Sequence, residues 1–487
     1  MPHEAIDTFG FGSFFKYMLS PLLQLFFYDR SSMISGSRVR ITPNTVIFRG
    51  PAAYRDIYNA KANVQKGPFY EAWQKDKKGI NTFSTRDRKE HAKRRKMLNQ
   101  SFTEKSLRAA QPFIIKHVDR WNDLRTEEDV GEDQWSEVMN FAEVSDKLVF
   151  DIIGGDLCFG TSFDIKEPED NPIKAIPHAV VQYMQFLYPL TRSPMLELVL
   201  WLKPRGLDSF LKAMTPPHIK TYVDFVDDCV AKRLDLYGSQ KNKPEDEQRQ
   251  DIFWFLCDAK NEDGGRAYSA SELHAKANML IVGGTNTTSV TIAAIMFYIT
   301  RNPVQYNKLV HEIQSKFSSP KQIVHGPKLI SCTYLRACIN KSIHLSPSGP
   351  SELPRQVLQD GAIINGHYYP EGTFYGDSEV FRPDRWIPDE SNGIPQEDVN
   401  ILRSNFHPFA QGSGSCPENN IASVELLITI ARTLHRFDVR RPPEDENGVG
   451  EGVPTAGWGM RKRNIFQLKD AYISVRDRPM IQFRKCA

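Results

Sequence analysis

Apolar residues recur at helical spacing through much of the chain, and the longest such run opens at Ser269 and closes at Asn302-Pro303. Ser269 and Ser271 offer N-caps at its start, and a proline just past its end stops it. At its middle lies VGGTNTTS, from Val282 to Ser289. Two adjacent glycines inside a helix each cost about 1 kcal/mol relative to alanine. Close approach of a flat ligand and tight helix packing are the two available reasons. A second periodic run, Ile421, Val424, Leu427 and Ile428, predicts a helix directly after the loop FHPFAQGSGSCP. Residues 105–236 read as mostly helical, including KLVFDIIGGDLCFG from Lys147 to Gly160, whose apolar residues serve packing. Gly238 to Gln250 is polar and reads as an exposed connection.

Strand patterns are fewer. Arg38 to Ile41 and Thr45 to Phe48 alternate around Pro43-Asn44. Leu353 to Pro370 reads as two strands turning at Asn365-Gly366, a strong hairpin signal. Tyr472 to Val475 and Met480 to Phe483 read as a closing hairpin around Asp477 to Pro479.

Composition narrows the class. The chain has 487 residues, 40% hydrophobic and 11% aromatic, so a large core is within reach and global disorder is excluded. A net charge of +3 with no sustained basic stripe leaves no nucleic-acid footprint. The cysteines are seven in number and scattered, which argues against a disulfide framework and for a reducing compartment. Phe9 to Tyr28 is rich in Phe and Leu, but Lys16 and Pro21 interrupt it. It is close to the roughly 20 apolar residues that a span requires. Residues 1–37 therefore read as a weak anchor or membrane-surface segment, or as a buried N-terminal helix.

The candidate chemistry centres on Cys416. Gly412 and Gly414 precede it and a helix follows, so its sulfur sits near a helix N-terminus, where backbone N–H groups favour a thiolate. Such a thiolate is a nucleophile or a metal ligand; a small buried cysteine beside a turn is the plainer alternative. Phe409, Gly412 and Cys416 match the FxxGxRxCxG loop of the cytochrome P-450 haem-thiolate monooxygenases, which the chain resembles from about Arg38 to its end. The other motifs stand in the family's order. His91 and Arg95, four apart on one helix face, occupy positions that hold a haem propionate in the family, and Pro354-Arg355 resembles its other propionate contact. Gly283 to Thr288 resembles the oxygen-binding [AG]Gx[DE]T[TS] pattern, and TYLRACINKSIHLSPSGP, residues 333–350, the helix after it. Phe381, Pro383, Arg385 and Trp386 match FxPxRW.

The resemblance implies a mainly α fold with a smaller β-region, residues 38–487 as one domain, and haem b held between the long central helix and the cysteine-loop helix. It implies that Cys416 ligates the iron and that His91, Arg95, Arg355, Phe409 and Gly412 hold the cofactor. Thr287 and Asn286 would organise dioxygen and water. The implied activity is oxidation of a small lipophilic molecule in fungal secondary metabolism, with electrons from an external NADPH-dependent reductase. The implied location is the cytosolic face of the endoplasmic reticulum membrane, or otherwise the cytoplasm.

Four departures point to an alternative, a degenerate relative that binds haem poorly and no longer oxygenates, or a defective gene model. Lys341 and His344 replace the Glu and Arg of the family's ExxR. Asn286 replaces an acid and cannot relay a proton by titrating. Gly414 and Glu418 replace the loop's arginine and final glycine, so restoring arginine at 414 is expected to strengthen haem retention. After Thr373 a short loop and strand are missing.

Overall fold

The computed structural model describes residues 38–42, 45–48, 50–74, 79–127, 134–193, 195–213, 215–350, 353–359, 361–369, 386–390, 394–443, 448–456 and 461–486. The segment 1–37, the break after Thr373, and Phe381, Pro383 and Arg385 lie outside them. Helices dominate. In chain order they include α1 (Pro51–Tyr58), α2 (Arg88–Asn99), α3 (Glu104–Glu127), α4 (Phe141–Val149), α5 (Ile176–Thr191), α6 (Pro217–Gln240), α7 (Ala270–Arg301), α8 (Pro303–Lys316), α9 (Thr333–Leu345) and α10 (Asn419–Arg436).

Helix α7 is the axis of the core. Ser269 caps it in a reciprocal capping box with Glu272, and Asn302-Pro303 ends it. Among the described residues it alone is long and apolar enough to cross a membrane, but 89% of its apolar window is buried inside the protein, so it is a core helix. Helix α4 packs along it and runs into a π-helical stretch, Phe150–Phe159, in which every residue is buried. Lys147 to Gly160 is thus packing, as its apolar run suggests. Two buried carboxylates anchor that stretch. Asp156 meets His117 of α3 at 2.7 Å and Arg249 at 2.5 Å. Asp151 accepts from the Lys166 ammonium at 3.2 Å. His117, Asp151 and Asp164 bring metal-type atoms within 4.8 Å of one another. The Lys166 ammonium already fills a cation's place there, 3.2 and 3.1 Å from the two carboxylates.

The β-region consists of small antiparallel sheets. β1 (Arg38–Thr42) pairs with β2 (Thr45–Phe48), and β6 (Ala362–Ile364) with β7 (His367–Tyr369) across Asn365-Gly366, both residues at positive φ as such a turn demands. Between these in chain order, β3 (Val64–Lys66) pairs with β5 (Arg355–Val357), joining segments nearly 300 residues apart. The expected closing hairpin is corrected. β10 (Ile473–Val475) folds back on β9 (Lys469–Ala471) around Tyr472 at φ 71°. β11 (Met480–Lys485) instead lies between β4 (Met139–Asn140) and β8 (Phe437–Arg440). The reason is apolar alternation: Ile481 and Phe483 are buried, and Phe483 packs on Phe141 and Phe437 at 6.0 and 5.8 Å between ring centres.

Candidate active site

Cys416 lies just ahead of α10, at the end of the turn Gly412–Gly414. Its N–H donates to the Phe409 carbonyl at 2.7 Å, and the Ser415 N–H to the Gly412 carbonyl at 3.1 Å, closing the loop. Gly412 is required twice over. Its φ is +66°, and a Cβ there would stand 2.1 Å from the Tyr58 carbonyl oxygen at the end of α1. The close approach that makes it glycine is therefore to protein backbone.

The Cys416 sulfur receives the backbone N–H groups of Glu418 and Asn419. Burial and the neighbouring Glu418 outweigh them and push the thiol up to about 12, which keeps the sulfur protonated in the cofactor-free fold. Cys416 and Glu418 are surrounded by protein yet keep accessible surface, which puts them on the wall of an internal space. All seven cysteines are free.

Helix α7 forms the facing wall. The Thr287 hydroxyl donates to the Gly283 carbonyl at 2.5 Å, one turn back. Asn286 is buried, and its Oδ1 has no hydrogen-bond partner among the described residues, so an acceptor is held in reserve there. The two helix glycines differ. A Cβ on Gly284 would lie 2.7 Å from Ile153 Cγ2 of the π-helical stretch, so packing accounts for that glycine. A Cβ on Gly283 would meet only Met279 Cε, at 3.8 Å. Glu418 reaches across from the cysteine loop, its Oε2 3.5 Å from the same Gly284 position. It is the N-cap residue of α10 but makes no side-chain capping bond. Burial pushes its carboxyl up to about 8, so it is neutral at pH 7 and repels neither a thiolate nor a propionate.

A basic cluster closes one side. Arg95 of α2 donates through Nη1 to the Ser415 carbonyl, through Nη2 to the Ser415 hydroxyl at 3.3 Å, and through Nε to Asn99 at 2.8 Å. It thus ties α2 to the residue before the cysteine. Arg355 of β5 donates to the Tyr70 hydroxyl at 2.8 Å and to the Pro354 and Leu353 carbonyls at 3.1 and 3.2 Å, over the Tyr58 ring. His91 is buried. That burial, with the charges of Lys66, Arg95 and Arg355, depresses it to about 3. So His91, Arg95 and Arg355 lie together.

Lys66 is the member the sequence reading missed. It ends β3, directly opposite Arg355 in the ladder, and nothing in its local sequence separates it from other exposed-looking lysines. None of these four basic side chains has a carboxylate partner among the described residues; their acceptors are carbonyls, hydroxyls and one amide. A cluster of that sign, beside an enclosed cysteine, fits a cofactor carrying two carboxylates and a thiolate-binding metal.

Two departures acquire a geometry. Lys341 and His344 of α9 face each other, Nζ to Nδ1 at 3.1 Å, where the family has an acid and an arginine. A Cβ on Gly414 would fall 2.8 Å from Arg355 Nη2. That nitrogen is the far end of a flexible side chain, so a residue at 414 displaces it at little cost, and an arginine there would stand beside Arg355.

A profile described as Cytochrome P450 matches residues 38–453. A cytochrome P450 monooxygenase of Gibberella zeae is 31% identical over 444 residues, 88% of this chain and 97% of its own length. Cytochrome P450 monooxygenase fscF of Fusarium equiseti is 31% identical, covering 92% and 85%. Cytochrome P450 monooxygenase poxM of Penicillium oxalicum is 29% identical, covering 92% and 83%.

Proposed function

The chain belongs to the cytochrome P450 family and is a monooxygenase by that membership, and we propose that it oxidises a small lipophilic molecule in fungal secondary metabolism. The family implies a haem with a cysteine thiolate ligand, dioxygen as co-substrate and a redox partner. In this reading Cys416 supplies the thiolate, and Arg95, Arg355 and His91 hold the propionates. When bound, the haem supplies oxygen activation, with electron donation from the thiolate favouring O–O cleavage.

The residues of α7 do the rest. Thr287 presents a hydroxyl that donates to the Gly283 carbonyl and would be able to donate instead to dioxygen held beside α7. Asn286 offers a buried acceptor that can hold a water molecule. An external NADPH-dependent reductase is the proposed electron source. The observation that carries the reading is the convergence of the Cys416 loop, α7 and a basic cluster, which has no carboxylate partner among the described residues, on one enclosed space.

One observation favours a second reading, haem binding without turnover. Lys341 and His344 meet where the family sets an acid against an arginine, so two nitrogen bases stand in place of an ion pair. One experiment separates the two. The reduced protein with carbon monoxide should give the red-shifted Soret band of a thiolate-ligated ferrous haem, and turnover with a reductase should oxidise lipophilic substrates. A normal band with NADPH consumed only to hydrogen peroxide across a broad substrate panel would select the second reading. Absence of haem uptake would refute both.

A further inference from the structure

We propose that Lys66 is a fourth grip on the haem propionates, and that its positive charge is completed by a proton taken up as the cofactor enters, so that cofactor loading is proton-coupled in this chain. The proposal rests on the haem reading above.

Lys66 and Arg355 are register partners in the β3–β5 ladder. Like charges directly opposite on a ladder are destabilising, so the pairing calls for an anion. Among the described residues Lys66 has only neutral acceptors, the carbonyls of Thr82 at 2.8 Å and Phe83 at 2.7 Å. The Tyr70 and Phe83 rings lie 5.2 and 5.7 Å from its ammonium.

The groups that face it are Arg355 from β5, Arg95 and His91 from α2, and Tyr70 from the turn Pro68–Trp73. The nearest acid in sequence, Glu71, is taken by Arg86 at 2.8 Å, and Arg86 Nε also donates to the Lys66 carbonyl at 3.0 Å. Four basic groups thus share one corner with no carboxylate partner among the described residues. Burial first, then Arg355 and Arg95, depress Lys66 to about 7, so at neutral pH the cofactor-free protein carries this amine only partly charged. Bringing two propionates beside it reverses the balance, because an opposite charge within about 4–6 Å favours the ammonium. The loaded protein therefore holds a proton that the cofactor-free protein lacks, and linkage makes affinity fall as pH rises above about 7, approaching about tenfold per pH unit for one proton.

The test uses metal-free protoporphyrin IX and its dimethyl ester, so that no proton leaves the Cys416 thiol to confuse the count. With the cofactor-free full chain, the diacid should bind progressively more weakly from pH 7 to 9 and take up protons from lightly buffered solution. The diester should bind without either effect. In a Glu418→Gln background, which removes the carboxyl that ionises near pH 8, Lys66→Arg, permanently charged, should bind the diacid tightly with a flat pH profile, and Lys66→Met should bind it weakly with a flat profile. Diacid binding that is flat with pH in the unaltered protein, or a slope that survives in both variants, would overturn the proposal while leaving the haem reading intact. Failure of the unaltered chain to bind haemin at all would overturn the haem reading and this proposal with it.

Discussion

Gly283 and Gly284 are sequence neighbours with opposite surroundings, and replacing each by alanine measures the difference. Alanine is favoured over glycine in a helix interior by about 1 kcal/mol. At Gly283 the new methyl meets only Met279 Cε, at an ordinary 3.8 Å. Gly283→Ala should therefore stabilise the protein by about 0.5–1 kcal/mol. At Gly284 the methyl lands 2.7 Å from Ile153 Cγ2, about 1 Å inside the ~3.5–4.0 Å optimum for two carbons. Ile153 has little room to retreat, since every residue from Phe150 to Phe159 is buried. Overpacking of this kind costs about 1–3 kcal/mol, which outweighs the helix-propensity gain and leaves Gly284→Ala destabilising by up to about 2 kcal/mol. Ile153→Ala removes the obstructing carbon. In that background Gly284→Ala should change sign and stabilise by about 1 kcal/mol, because its methyl then part-fills a cavity. Urea unfolding of the four proteins of this cycle, followed by circular dichroism, reads the midpoints at constant slope. An equal effect of Gly284→Ala in both backgrounds would refute the packing account of that glycine.

Other outcomes follow from the same geometry. Arg355→Gln removes the guanidinium that sits over Tyr58 and beside Tyr70 and should speed haem transfer to a scavenger such as apomyoglobin; an unchanged rate would show that Arg355 does not hold the cofactor. Cys416→Ser should abolish the red-shifted carbon monoxide band, and its survival would remove Cys416 from the iron. His91 is neutral in the cofactor-free fold, pushed down to about 3 from 6.5. Its contribution is therefore complete above about pH 6.5 and is withdrawn as pH falls towards 3. The corresponding loss at Lys66, depressed from 10.5 to about 7, is already complete near pH 7. The urea midpoint of the cofactor-free protein should thus fall between pH 7 and 5, and fall less in His91→Gln; identical profiles would count against a buried neutral imidazole.

Much of the site is legible because its members sit in local patterns. Cys416 is marked by its glycine turn and the helix after it, and His91 and Arg95 by their four-residue spacing. Lys66 is not legible in the same way. It is one of 62 lysines and arginines, and its meaning comes from a ladder partner far along the chain. Gly284 illustrates a different limit. Its cost within a helix is visible in the sequence, but the isoleucine that demands it comes from another element. Glu418 looks like an added negative charge until its burial is known, and the closing hairpin was misassigned because alternation marks a strand without naming its neighbour.

The β3–β5 ladder has a consequence for how the protein matures on the ribosome. Gln65 meets Gln356 only after 291 further residues, and Arg95 meets Ser415 only after 320. At translation rates of roughly 5–20 residues per second, the early half of the basic corner waits about 15–60 s for its other half. The cofactor's acidic edge therefore cannot be gripped from both sides until Arg355 and the loop of Ser415 have emerged, and insertion of the prosthetic group waits for them.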